Sequence, residues 1–323
     1  MTPTKMPSGS DPAKTAATAH TLGGAGFFQK WTTHWNEFWF ARDSGYAFAL
    51  FRILFGLYIL AYFLISFAGS VTLEFSNQGI YSPFRIPDIA LPPVAAGILF
   101  WFFIILVTSF TVGFMTRIVT PMILTLFLYY YFLSTGVRDC AYDRLTILFL
   151  GTSCLADLDR VWSITALTRP PGARNVRVWR WGARLITLQI MFLYGGAAVF
   201  KMVDPAWREA GMMKYTFCNM WATPPAFWFA RIPLPPWVHL AMTISVVIFE
   251  FWLPFAFAIR RFRLWAAISA ALFHLQIAVL LNVPEFLVCV TTYPLFFTGE
   301  EVRSAVAKIL GWGRKSSSLE PSR

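Results

Sequence analysis

The sequence predicts an all-α polytopic integral membrane protein of about eight transmembrane helices, within a range of six to eight, with an interfacial N-terminal helix ahead of them. Three observations carry the prediction. Of 323 residues, 57% are hydrophobic and 18% aromatic while only 13% are charged, a balance too apolar for a soluble domain. Several apolar runs approach the roughly 20 residues that a helix needs to cross a ~30 Å hydrocarbon core. Lysine and arginine are concentrated on alternate loops, as the positive-inside rule expects.

The elements follow in order. Residues 1–26 are rich in Thr, Ala, Pro, Ser and Gly, carry no apolar core of a secretory signal, and are expected to form a disordered cytoplasmic tail. Residues 27–298 form the expected transmembrane domain, and 299–323 a basic cytoplasmic tail. Phe27, Phe28, Trp31, Trp35, Phe38 and Trp39 recur at helical spacing opposite Lys30 and Glu37, which suits a helix lying in the cytoplasmic interface. Candidate spans fall at 45–67, 93–115, 118–135, 145–158, 185–203, 237–259, 264–281 and 286–297. Each is a helix because hydrocarbon offers no partner to an unpaired backbone group. The fourth and eighth are short; at ~1.5 Å per residue the fourth covers only ~21 Å. A six-span version drops the third and fourth together.

Nineteen of the 27 Lys and Arg fall on the tails and alternate loops of one side, including Arg160, Arg169, Arg174, Arg177, Arg180 and Arg184, and six fall on the other loops. Both termini are therefore expected in the cytoplasm, in a multi-pass protein of a bacterial inner membrane. Basic loops facing an anionic leaflet also account for the net charge of +11. The implied partner is membrane lipid and not nucleic acid. The long loop between the fifth and sixth spans is aromatic and broken by prolines at 224, 225, 233, 235 and 236, fitting an aromatic belt or a lid over a substrate.

Charges inside spans are functional candidates because burying an ion in hydrocarbon is costly. Counting residues from the helix ends puts Arg52 and Glu250 at matching depths, ~10 to 14 Å above the cytoplasmic boundary, as a possible ion pair. Lys201 falls near the outer boundary, level with Asp139, Asp143, Asp204, His239 and Glu285. Lys201 is either a base, since apolar surroundings disfavour the charged form of a lysine, or an interfacial anchor that snorkels beside Tyr194 and Trp207. Asp204, three residues on, would favour the ammonium. His274, near the midplane, suits either a hydrogen bond to a neighbouring helix or proton transfer. No His or Cys pair has metal-ligand spacing, so no metal site is expected; Cys140 and Cys218 share the outer side, where a disulfide could form.

Together the residues resemble a known family. The pattern runs from Arg42-Asp43 to Phe51-Arg52-Ile53-Leu54-Phe55-Gly56-Leu57, then Tyr194, Lys201, Trp207 and Gly211, then Glu250 ahead of Arg260-Arg261, and His274 followed by Pro294-Leu295-Phe296-Phe297. It is similar to the HTTM (horizontally transferred transmembrane) family, which includes the membrane domain of vitamin K-dependent gamma-carboxylase. The resemblance implies that Lys201 is the base that deprotonates a vitamin K or menaquinone hydroquinone at the outer face. It makes Lys201 and His274 the candidate catalytic residues, with Tyr194, Trp207, Glu250 and Arg52 as substrate-binding or structural ones. An Asn-His step of the carboxylase stands here as Tyr142-Asp143.

Two functions follow. One is a carboxylase-like, quinol-dependent lyase or oxidoreductase embedded in the membrane, acting on a quinone-type or other lipid-phase substrate or on a peptide. The other is a non-catalytic partner in the maturation or export of a secreted peptide or protein, in which the charges only hold helices together.

Overall fold

The computed structural model describes residues 28–78, 89–134, 141–170, 177–209 and 211–311. Helix α1 occupies 28–40, with Phe28, Trp31 and Trp35 exposed and the last two stacked at 5.4 Å. A short strand β1 (Arg42–Asp43) leads into α2 (Tyr46–Phe67). Then come α3 (Val71–Phe75), α4 (Pro93–Val112), α5 (Thr116–Ser134), α6 (Ala141–Cys154) and α7 (Ile164–Thr168). Strand β2 (Val178–Trp179) pairs antiparallel with β1. The chain continues through α8 (Trp181–Val203), α9 (Gly211–Thr216), α10 (Pro224–Ala230), α11 (Pro236–Ala258), α12 (Arg263–Leu280), α13 (Leu287–Thr291) and α14 (Gly299–Ile309).

Six of these, α2, α4, α5, α8, α11 and α12, are long and apolar enough to cross a membrane. The third predicted span is therefore retained as α5, which corrects the version that dropped it with the fourth. The fourth, α6, is a 14-residue helix packed antiparallel on α5. The eighth is not a continuous helix. It consists of a 3-10 turn at Pro284–Phe286, the five residues of α13 and a second 3-10 turn at Tyr293–Phe296. Pro284 and Pro294 open the two 3-10 turns, where a missing backbone N–H is tolerated. Thr291 and Thr292 return their hydroxyls to the Val288 and Cys289 carbonyls.

The two short elements still return the chain from one face of the bundle to the other. We call proximal the face that carries β1 and β2. Asp43 accepts a hydrogen bond from Gly299 N at 2.9 Å and lies 3.6 Å from Arg180, on the residue before α8. Arg180 donates to the Leu295 and Phe297 carbonyls. Thus Arg42-Asp43, the start of α8 and the start of α14 meet on one face. Residues 299–309, expected as the beginning of a basic tail, form a helix closed by a Thr298–Glu301 capping box and packed on α2. Residues 1–27 and 312–323, and with them most of the two expected tails, lie outside the described residues.

Arg52 is fully buried but does not pair with Glu250. Its guanidinium donates to the carbonyls of Thr111 (3.3 Å), Leu158 (2.8 Å) and Trp162. It ties the α4–α5 turn to the segment after α6. The turn needs Gly113: its φ is +75°, and a Cβ there would stand 2.4 Å from Arg52 Nη1. A flat guanidinium spreads its five donors over three nitrogens, and here each nitrogen serves a different carbonyl, one on α4 and two on the segment after α6, whereas a lysine carries all its donors on one nitrogen. Higher in the same layer, Gly56 lets α2 approach α4, since a Cβ would meet Thr111 Oγ1 at 2.2 Å.

Candidate functional site

Helices α8 and α11 run antiparallel and form the most extensive helix contact in the described chain. Their register is fixed where Gly195 faces Pro254, a Cβ on Gly195 lying 4.0 Å from the proline Cγ. Toward the distal face, Lys201 is six residues beyond Gly195 and Glu250 four residues before Pro254. At ~1.5 Å per residue their Cα atoms differ in height by only ~3 Å. Lys201 Nζ accordingly donates to Glu250 Oε2 in a direct ion pair. The side chains are only 16% and 8% exposed. Glu250, and not Asp204, is the carboxylate beside Lys201.

Asp204 is otherwise engaged. It ends α8 and accepts from Ala206 N at 3.0 Å, starting the 3-10 turn Pro205–Arg208. That turn brings Trp207 over the lysine, with Nζ 4.8 Å from the ring centre, a cation–π contact. Arg208 folds back to the Met202 carbonyl. Among the described residues, none of the carboxylates counted level with Lys201 forms an ion pair with it. Asp143 lies beside Tyr62 and Tyr130 on the other side of the bundle, Glu285 offers its backbone carbonyl to Tyr58, and Asp139 lies outside the described residues. So does Cys140 of the proposed Cys140–Cys218 disulfide.

Lys201 stands in the last turn of α8, where the count placed it, while its partner lies deeper along the neighbouring helix. Glu250 stands ~21 Å along α11 from its distal end at Pro236. The segment from α9 to α10 folds over that end: α9 packs on α11, and Thr223 N donates to the Leu280 carbonyl. That segment, the distal layer, thus covers the distal end of α11, and its Met213, Thr216 and Phe217 line one cavity with Lys201. The loop read as belt or lid supplies that cover.

Beneath the layer is a cavity of ≈ 500 Å³ whose walls include Lys201, Trp207 and Glu250 among aliphatic and aromatic side chains of α9, α11 and α12. It falls within the size range of small-molecule sites, which combine apolar walls with few polar groups.

Behind the cavity lies a buried polar cluster. Tyr194 Oη is 2.5 Å from His274 Nε2 and 2.6 Å from Tyr293 Oη. Tyr194 is on the same face of α8 as Lys201, two turns closer to the proximal side. Phe286, which lines the cavity, has its ring centre 5.9 Å from that of His274. His274 Nδ1 is buried with no hydrogen-bond partner among the described residues. Of the residues singled out in the sequence, Lys201, Glu250 and Trp207 come together at the cavity and Tyr194 and His274 come together behind it, while Arg52 stands apart as a clamp. Tyr293 was missed; its signal was its place immediately before Pro294-Leu295-Phe296-Phe297, on a segment read as an ordinary span.

The fold and site define a polytopic helical membrane protein with a buried lysine–glutamate pair in the wall of an apolar cavity. The HTTM domain profile matches residues 41–300, and the chain belongs to the HTTM domain family. The matched stretch begins one residue before β1 and ends one residue past Gly299, whose backbone N–H donates to Asp43 on the proximal face. No curated protein and no solved structure matches the chain.

Proposed function

We propose that this HTTM protein is a membrane-embedded enzyme that removes a proton from a substrate hydroxyl in the cavity, with Lys201 as the base. The observation that carries the proposal is the placement of the Lys201–Glu250 pair in the wall of an apolar cavity. An ammonium–carboxylate pair and its neutral amine–carboxylic acid form differ by one proton along a hydrogen bond and carry the same net charge. Removal from water disfavours both charges of the former. In the neutral form the single lone pair of Lys201 Nζ accepts from the Glu250 carboxylic acid, and when the amine turns that lone pair to a substrate hydroxyl it takes the hydroxyl proton while Glu250 keeps its own. The ammonium so produced then sits beside the new oxyanion, and Trp207 adds its ring face to the cation. Glu250 is the positioning and proton-storing partner.

A quinol-type molecule suits this setting: the apolar walls accommodate a ring and its alkyl tail, and the polar pair meets a hydroxyl. Bound there, such a molecule would supply the redox chemistry of the reaction. The gamma-carboxylase-like reading of Lys201 supports this substrate class; a peptide reaching the cavity past the distal layer is the alternative substrate. The charge distribution supports a cytoplasmic proximal face, which puts the distal layer outside. The second function, a non-catalytic maturation or export partner, is favoured by one observation, namely that an ion pair joining α8 to α11 also serves as a helix clasp. The two are separated by purifying the protein with its bound lipids and identifying the co-purified molecule. A quinone or similar amphiphile retained by the wild type and lost when the cavity is filled, for example by Val246→Trp, supports the enzyme. A cavity holding no such molecule favours the clasp.

A further inference from the structure

The outward face of α12 is a hydrocarbon surface except at one place. Leu272, Leu275 and Val279 are 61%, 53% and 54% exposed, and between them lies Gln276, also exposed. Its amide makes no hydrogen bond among the described residues. An amide facing lipid without a partner costs several kcal/mol on hydrocarbon-transfer scales, so a polar side chain on such a stripe needs a use. Gln276 also lines the cavity. Directly across, on α11, Ser245 is exposed between Ile244 and Ile248 and lines it too. The Ser245 hydroxyl is satisfied by the Ala241 and Met242 carbonyls; the Gln276 amide has no such local partner among the described residues.

Ser245 and Gln276 are the two cavity residues that are exposed, so the opening of the cavity lies between α11 and α12, on the side that faces lipid. Nearer the proximal face Phe249 and Phe273 meet across the same pair of helices, with ring centres 5.1 Å apart, and close the cleft below. The distal layer closes it above. The remaining gap is a window with a neutral amide on its sill and the Lys201–Glu250 pair at its back.

We propose that the cavity is loaded sideways from the bilayer through this window, and that Gln276 hydrogen-bonds the uncharged head, a hydroxyl or carbonyl, of an amphiphile dissolved in the hydrocarbon. The amide can donate and accept, which suits either group, whereas a charged head would call for a charged partner at the sill. The inference rests on the reading of the cavity as a substrate site. It selects the lipid-phase substrate over the peptide and adds Gln276 as a residue that sets specificity.

The test uses the full chain in nanodiscs with a diazirine-tagged hexadecanol and, for comparison, a diazirine-tagged hexadecane, mapping labelled peptides by mass spectrometry. The alcohol should label cavity residues of α9, α11 and α12 well above the alkane. Gln276→Leu should cut that labelling about tenfold, the scale of one lost hydrogen bond, with an unchanged melting temperature because leucine suits the stripe. Ser245→Trp, which narrows the window, should cut it as well. Equal labelling by alcohol and alkane, or full labelling of either variant, overturns the proposal. Lys201→Arg should still be labelled by the alcohol; that arm separates the route from the chemistry, because an active Lys201→Arg protein with normal labelling defeats the base mechanism alone.

Discussion

At the scale of single residues, the sequence exposed which side chains are costly to bury but not which of them meet. Lys201, Glu250, Arg52 and His274 stood out as polar groups inside apolar runs. Their depths, counted from helix ends, paired Arg52 with Glu250, and the structure pairs Lys201 with Glu250. The count failed because helix ends are not level: Gly195 against Pro254 sets the α8–α11 register, and no local pattern encodes an offset between distant helices. Tyr293 was hidden for a related reason, since it becomes polar core only after the last segment breaks. A prediction follows from the new pair. Lys201→Met or Glu250→Gln alone leaves an uncompensated buried group and should cost about 3–5 kcal/mol, whereas the double variant should lose less than the sum. Melting temperatures of the three purified variants in one detergent decide it; strictly additive losses would show that the two residues do not interact. For Arg52 the expected behaviour is different: Arg52→Lys retains charge but gathers its donors on one nitrogen in place of the three that reach the Thr111, Leu158 and Trp162 carbonyls, so the yield of folded protein should fall sharply.

Elements were more legible than contacts. The apolar runs that became α2, α4, α5, α8, α11 and α12 were located to within a few residues, because about 20 apolar residues in succession have few alternatives to a membrane helix. The stretch at 286–297 has the same composition but crosses the bundle in broken pieces. Hydropathy reads composition alone, and Pro284 just ahead of the stretch and Pro294 inside it were the overlooked sign. Close approach between elements gives a further prediction. Gly56→Val should push α2 from α4 at Thr111 and cost about 1–3 kcal/mol, the usual range for overpacking. Gly97, where an added Cβ meets nothing within 4 Å, is the control: Gly97→Ala should be neutral or slightly stabilising. Thermal unfolding of both variants followed by size-exclusion chromatography measures the contrast.

For the molecule as a whole, the charge asymmetry is the argument for an orientation. The described chain enters and leaves the bundle on the proximal face, and the loops richest in arginine lie there. Cysteine-accessibility labelling should therefore find positions 174–184 on the cytoplasmic side and 212–236 on the opposite side; labelling of 212–236 from the cytoplasm would invert the site along with the topology. The family was legible because its pattern is spread along the whole domain, from Arg42-Asp43 to Phe297, and those residues turn out to hold the proximal face, the clamp and the cavity wall. The cavity itself was not, since it forms only when α9, α11 and α12 meet.

The central claim, that Lys201 is a base, is tested most directly by Lys201→Arg. Arginine keeps the charge, can keep a salt bridge to Glu250 and can lie under Trp207, but its guanidinium does not lose a proton at usable pH. The measurement is complementation of the phenotype produced by deleting the protein, with membrane abundance quantified in the same cells. The base mechanism predicts an abundant, folded Lys201→Arg protein without activity; an abundant Lys201→Arg protein with full activity would contradict it and leave the lysine as a clasp between α8 and α11.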